Sequence, residues 1–276
     1  MKIRYLTFEC AARCNMNCKF CFSYWRDQPF ELSTGEAKKS LQFLKEKGLE
    51  AINFTGGEPL LRKDIIRLID FAKELGLTTI LTTNGLLLKE KLPKLAESLD
   101  FIGLPLDSSD SKIHNSMRTS NIDHHKLVLE LIDIIHEKYP RLSIKINTVV
   151  TVQNKNLTGI GNLVKGNIVS WKLSHFIPGE YGKVHNKEFE ISAAEYNRIV
   201  TACKKTHPDL NIISSAAHTR DSSCRILSSE GRLLKPCNEG LQDLGTLFSI
   251  TDKRFVDGFN EVMNSYFLDK TYPRLR

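Results

Sequence analysis

Short β-like runs and helical stripes alternate along this chain as far as residue 177, and that alternation restricts the fold more than any other feature of the sequence. Ile3 to Glu9, Ala51 to Thr55, Thr78 to Thr83, Phe101 to Leu106, Leu142 to Val152 and Ser170 to Ile177 are rich in β-branched and apolar residues and read as strands. Between them, Ser33-Thr34-Gly35-Glu36 has the form of a capping box, opening a helix through Leu41, Phe43 and Leu44 to Gly48. Ile65, Leu68, Ile69 and Ala72 recur at helical spacing and Gly76 closes them; Leu92, Leu95, Ala96 and Leu99, then Val128, Leu131, Ile132 and Ile135, repeat the stripe. Strands that alternate with helical crossovers pair in parallel. The expected architecture is therefore a partial (β/α)6 TIM barrel over residues 1–200, with residues 201–276 as a small C-terminal extension covering the substrate.

Chemistry in such a barrel belongs to the loops at the carboxyl ends of the strands. The loop after the first strand reads Cys14-Asn15-Met16-Asn17-Cys18-Lys19-Phe20-Cys21, three thiols within eight residues. A zinc site would want a fourth ligand close by. The nearest other thiol is Cys10, on the strand itself, and the next is Cys203, far down the chain, so three thiolates suit a 4Fe–4S cluster with one iron left open. Phe20, Phe22, Tyr24 and Trp25 would give such a cluster apolar cover or serve as ordinary core. The second strand delivers Gly56-Gly57-Glu58-Pro59, where two glycines permit close backbone approach and the proline ends ladder pairing.

The spacing CNMNCKFC followed by GGEP one strand later resembles the radical S-adenosylmethionine (SAM) superfamily. The resemblance implies that Cys14, Cys18 and Cys21 each hold one iron while SAM chelates the fourth. SAM is then cleaved to methionine and a 5′-deoxyadenosyl radical that takes a hydrogen atom from the substrate. It also implies that the Gly56-Gly57-Glu58 backbone receives the SAM amino group and that Asn84, after the third strand, faces SAM, although Asn84-Gly85 also reads as a turn. Ser108, in Asp107-Ser108-Ser109-Asp110 after the fourth strand, belongs to the same cofactor set. Arg118, after what reads as a polar loop, would pair with the SAM carboxylate. Such enzymes draw electrons from a donor such as flavodoxin or ferredoxin.

Lys145 and Asn147 share one face of the fifth strand, and polar residues there suit a lumen holding a polar ligand better than a packed core. With Lys172 they would bind the substrate, and here two finer resemblances compete. CKFCF, the run through INFTGGEPLL, KINTVV and Trp171-Lys172 are similar to the viperin-like enzymes, which dehydrate a nucleoside triphosphate by abstracting a ribose hydrogen. Ser23, Pro105 and Ser170 depart from that pattern, in place of a histidine, a small polar residue and an arginine. FIPGE and the glycine-turn hairpin from Cys224 to Cys237 are similar instead to twitch or SPASM maturases and the GTP-cyclising enzyme of molybdopterin synthesis. That likeness implies an auxiliary cluster on Cys203, Cys224 and Cys237, or else ordinary buried cysteines.

Composition sets the remaining limits. Hydrophobic residues make up 41% and charged residues 26%, the balance of a globular protein with a substantial core. No run approaches the roughly 18 apolar residues of a membrane span, and the N-terminus leads straight into a strand pattern without a signal peptide. A cytoplasmic enzyme is expected, since thiolates that bind iron must stay reduced. The net charge of +7 leans towards an anionic partner such as a nucleotide or RNA. Lys38, Lys39, Lys45 and Lys47 read as a solvated helix face, and no interleaving of basic and aromatic residues supports nucleic acid. A metal-containing RNA-binding module is the non-enzymatic alternative.

Overall fold

The computed structural model describes residues 5–22, 30–178, 186–217, 225–237 and 240–247. Its strands are β1 (Tyr5–Ala11), β2 (Ala51–Gly56), β3 (Thr78–Thr82), β4 (Phe101–Pro105), β5 (Ser143–Val150), β6 (Ser170–His175), β7 (Ile212–Ser215), β8 (Ile226–Leu227), β9 (Arg232–Cys237) and β10 (Gly240–Thr246). They form a single sheet in the order β10-β9-β8-β1-β2-β3-β4-β5-β6-β7. From β1 to β7 every neighbouring pair is parallel, so the chain advances one strand at a time in one direction. β8 returns to the far edge and lies parallel to β1, and β9 and β10 continue antiparallel beyond it. The six expected strands are all present in a mixed α/β fold with a mostly parallel sheet, the form of a partial TIM barrel. β7 is a further parallel strand, too short to show a period-2 pattern in the sequence.

The helices are α1 (Thr34–Glu46), α2 (Ile65–Glu74), α3 (Leu88–Leu95), α4 (Ser111–Met117), α5 (His124–Lys138), α6 (Thr158–Val164), α7 (Asn186–Phe189) and α8 (Ala193–Thr206). α1 starts on the expected capping box: the Ser33 side chain accepts from the Glu36 amide and the Glu36 carboxylate accepts from the Ser33 amide at 2.8 Å. Gly76, at φ +69°, closes α2 as a left-handed residue. The stretch before Arg118 is not a loop: Asp110 accepts from the amides of Lys112 and Ile113 and starts α4. Its sequence SKIHNSM hides the helix because it lacks an apolar stripe, and the cap decides its start. Arg118 ends that helix.

Alternate residues of the strands divide between two faces. Leu6, Phe8, Ile52, Phe54, Leu81, Ile102, Leu104, Ile144, Ile146, Trp171, Leu173 and Ile212 pack into one large core with the helical stripes. Trp171 is wholly buried there, its indole N–H donating to Thr148 Oγ1 at 2.9 Å. The intervening residues, among them Asn53, Thr82, Gly103, Lys145, Asn147 and Lys172, are left on the inner face by the same register. The carboxyl ends of β1 to β6 point one way, which brings the loops carrying the sequence motifs to a common end of the sheet. No helix among the described residues is long and apolar enough to cross a membrane.

Candidate active site

The cysteine loop leaves β1 at Ala11 and is pressed at once against the loop after β2. Gly57 N–H donates to Ala11 O and Glu58 N–H to Arg13 O, each at 2.7 Å. A Cβ on Gly56 would stand 2.3 Å from Ala11 O, and one on Gly57 2.2 Å from Arg13 O. Gly56 also has φ +138°. Both glycines are thus demanded by backbone packing against the stem of the cysteine loop.

Cys18 is buried in an apolar cluster with Met16, Phe20, Met117, Phe176 and Phe189, and Cys14 and Cys21 pack against the same cluster. A turn closed by Cys21 N–H donating to Cys18 O at 3.1 Å brings those two together. Burial pushes the Cys18 thiol up to about 11 against the pull of Arg118, and the neighbouring Cys21, Asp107 and Cys14 push it the same way. Among the described residues no three His, Cys, Asp or Glu side chains gather as ligands of one metal ion. Three thiols lining one apolar pocket are a donor set that a cubane, which takes one thiolate per iron, could use. Of the expected aromatic cover, Phe20 is buried and Phe22 half-buried; Tyr24 and Trp25 lie outside the described residues.

Glu58 is fully buried and both its oxygens are used inside the protein. Oε1 accepts from the Leu60 amide at 3.0 Å and the Thr83 hydroxyl at 2.7 Å, and Oε2 accepts from the Asn84 amide at 2.8 Å. Burial pushes its carboxyl upward, against the pull of these hydrogen bonds. What Glu58 gives the site is the position of Asn84. That side chain donates to Asn15 Oδ1 at 2.7 Å and to Cys14 Sγ at 3.9 Å, while its Oδ1 accepts from the Leu86 amide. The loops after β1, β2 and β3 are therefore one hydrogen-bonded unit.

After β4 the buried Asp107 plays the corresponding part. Its Oδ1 accepts from the Val149 amide at 2.9 Å and its Oδ2 from Arg118 Nε at 2.5 Å. Burial works against the Arg118 cation, but Asp107 and then Cys18 outweigh it and hold its pKa above the usual value. The guanidinium carbon also lies 5.2 Å from the centre of the Phe20 ring, at the wall of the cysteine pocket. Ser108 is buried and its hydroxyl accepts from the Asp110 amide at 3.1 Å, which fixes the turn into α4. Asn154, after β5, donates to the carbonyls of Asp107 and Val149 at 2.7 and 2.8 Å.

Lys145, Asn147 and Lys172 lie on the inner face of β5 and β6, Asn147 directly opposite Lys172 in the register. Lys145 is buried, and burial followed by the Lys172 cation holds its ammonium down to about 8. Gly103 on β4 makes room for this group: a Cβ there would stand 2.7 Å from Asn147 Nδ2 and 2.9 Å from Thr82 Oγ1. Cys203 is buried in the main core on α8. Cys224 and the side chain of Cys237 lie outside the described residues, although β8 and β9 form the expected hairpin around Gly231, at φ +82°. Sequence reasoning gave no role to Asp107 or Asn154, whose partners are up to 47 residues away. An aspartate directly after a barrel strand was the available signal for the first.

Residues 8–156 match the family described as the radical SAM superfamily. The chain is 30% identical over 268 residues to an S-adenosylmethionine-dependent nucleotide dehydratase of Selenomonas ruminantium, covering 94% of this chain and 93% of that one. It is 33% identical to a protein of the same name from Lacinutrix mariniflava, over 77% of this chain but only 46% of that relative's length. In fold it is similar to Streptococcus suis SuiB bound to the precursor peptide SuiA, with a TM-score of 0.72 and 20% identity, covering 86% of this chain and 60% of SuiB. With its cysteine loop, its parallel barrel and these relatives, the chain is an enzyme that belongs to the radical SAM superfamily and is similar within it to the nucleotide dehydratases.

Proposed function

We propose that this enzyme uses a 4Fe–4S cluster on Cys14, Cys18 and Cys21, together with SAM, to dehydrate a nucleoside triphosphate to its 3′-deoxy-3′,4′-didehydro form. The observation that carries the reading is the pairing, in one parallel barrel, of a three-thiol apolar pocket with an inner wall bearing Lys145, Asn147 and Lys172. The activity named for the Selenomonas ruminantium relative, which matches along nearly the whole chain, supports it. Bound cluster and SAM would supply a 5′-deoxyadenosyl radical when an electron arrives from a donor of the flavodoxin or ferredoxin class.

The chain's own residues bind and orient. Arg118 engages Asp107 through Nε, so its terminal amino groups are suited to the SAM carboxylate. Asn84, beside Cys14, and the Gly56-Gly57 backbone, on the stem of the cysteine loop, complete the cofactor set with Ser108. Lys145 and Lys172 neutralise the phosphates, and Asn147 fixes the ribose end against Gly103 and Thr82. The ribose hydroxyl leaves as water, with one proton and one further electron from the reductant. The segment that follows β7 would act as the cover over this site, α8 and β7 themselves belonging to the sheet and its core.

Anaerobic reconstitution, reduction with SAM and assay of 5′-deoxyadenosine test the reading, with each nucleoside triphosphate added singly. One nucleotide should stimulate the product and itself lose water. Stimulation by none of them, with turnover on a peptide instead, would favour the maturase reading suggested by the Cys224–Cys237 hairpin. Iron counted before and after Cys224→Ala and Cys237→Ala reports on an auxiliary cluster.

A further inference from the structure

The dehydratase reading leaves two buried imidazoles without a role. His114, on α4, and His124, at the start of α5, lie edge to edge with ring planes 7° apart and centroids 5.1 Å apart. His114 Nδ1 lies 3.1 Å from the Asp107 amide, His114 Nε2 lies 2.8 Å from His124 Nδ1, and His124 Nε2 lies 2.7 Å from the Asn84 carbonyl. The two ends fix every proton in this series. A backbone amide can only donate, so His114 Nδ1 accepts and its Nε2 carries the hydrogen; a carbonyl can only accept, so His124 Nε2 carries the other. Each ring is therefore the neutral Nε2–H tautomer, and burial in both cases depresses the pKa, to about 3 for His114 and about 4 for His124.

Both ends of the series are significant. Asp107 holds Arg118, the residue assigned to the SAM carboxylate, and Asn84 reaches Cys14 and Asn15 on the cysteine loop. The loops after β3 and β4 have no direct hydrogen bond to each other at Asn84 and Asp107 among the described contacts; the two rings span the distance between them. A rigid, uncharged bridge of two planar rings sets that separation more tightly than flexible side chains would.

We infer that His114 and His124 are positioning residues for SAM: their hydrogen-bonded pair sets the spacing between Arg118 and Asn84, and so the fit of the cofactor between them. The inference rests on the SAM site proposed above. It concerns this chain's own loops, and cluster ligation does not depend on it.

The first measurement needs no cofactor. In protein carrying 15N-histidine, two-bond ring correlations should show His114 and His124 as neutral Nε2–H tautomers; an Nδ1–H form or an imidazolium for either would overturn the directed series. The second uses the reconstituted enzyme and its variants His124→Phe, which keeps a planar ring at the position but deletes both hydrogen bonds, and His124→Gln, which keeps a donor for the Asn84 carbonyl. SAM affinity, read by the change in the reduced-cluster electron paramagnetic spectrum, should weaken about tenfold in His124→Phe, the equivalent of about one net hydrogen bond. His124→Gln should recover most of it. Iron per chain and nucleotide affinity should be unchanged, and the SAM KM should rise with kcat at saturating SAM held. Equal SAM affinity in wild type and His124→Phe would sink the inference while leaving the dehydratase reading in place. Absence of SAM binding by the wild type would instead remove that reading and this inference with it.

Discussion

The Glu58 carboxylate receives the Thr83 hydroxyl at 2.7 Å across the ends of two neighbouring strands, and the same group takes the amide of the following residue. In a motif whose backbone is expected to meet the cofactor, the one acidic side chain is a clamp between loops. Changing Glu58 to Gln turns one acceptor into an amide donor facing the Asn84 N–H. The expected cost is about 1–3 kcal/mol, the penalty for a buried donor left unsatisfied, read by urea unfolding of the apoprotein. An unchanged midpoint would show that the clamp carries no stability.

Asp107→Asn tests the second anchor. It keeps an oxygen for the Val149 amide but leaves the Arg118 cation without its anion in a largely buried setting. Removing one partner of such a pair costs about 3–5 kcal/mol, and SAM binding should fail along with it. Stability within error of wild type would mean that solvent reaches Arg118 freely.

Under the proposed function, Lys145 should make nucleotide binding sensitive to pH. Burial and then Lys172 bring its pKa to about 8, so the side chain is cationic below that pH and neutral above it. Affinity for an anionic nucleotide should hold up to about pH 8 and decline above it, and Lys145→Arg should flatten the decline. The same shift acts on folding with a definite sign. The unfolded chain binds the proton more tightly, so this group's contribution to stability rises as pH climbs from about 8 towards the usual lysine range. Titrations of binding between pH 7 and 9.5, about one unit or more either side of the shifted value, separate this from an effect of the phosphates, which titrate lower.

Gly57→Ala should displace the cysteine stem, since the new methyl would stand 2.2 Å from a carbonyl of Arg13 that belongs to the backbone and cannot swing away. The expected outcome is a loss of about 1–3 kcal/mol and a fall in reconstituted iron well below that of Gly35→Ala, whose Cβ meets nothing within 4 Å. Equal iron in the two variants would mean that the cysteine loop does not depend on this contact.

Each of Cys14→Ala, Cys18→Ala and Cys21→Ala should lower iron from about four per chain towards zero. Cys203→Ser, in the core of α8 and remote in sequence from the loop, should keep the cluster and instead lose stability, because its thiol is wholly buried. Retention of iron in any of the first three would move the ligand set elsewhere.

Much of this was legible in the sequence because it is local. The alternation of strands with apolar stripes, the Ser33–Glu36 capping box and the closing Gly76 depend on neighbours within a few residues, and the structure has them where the pattern puts them. The cysteine and glycine motifs were legible for the same reason. α4 was not, because its start is decided by one aspartate and its buried face is one histidine and one methionine, His114 and Met117, too few to make an apolar stripe. The purpose of Glu58 was hidden because its partners are 25 and 26 residues away, and the His114–His124 pair because its meaning lies in what each ring touches beyond the other. Residues such as these tie loops from different strands, and no one-dimensional period records that.

The parallel contact of β8 with β1, with the Thr7 amide donating to the carbonyl of Arg225, has a bearing on biogenesis. The strand that carries the cysteine loop is made first, yet one of its two flanks is supplied by residues synthesised more than two hundred positions later. A nascent chain on the ribosome thus presents its thiols on a stem braced from one side only. Iron delivered to the finished polypeptide meets a loop whose root is held from both.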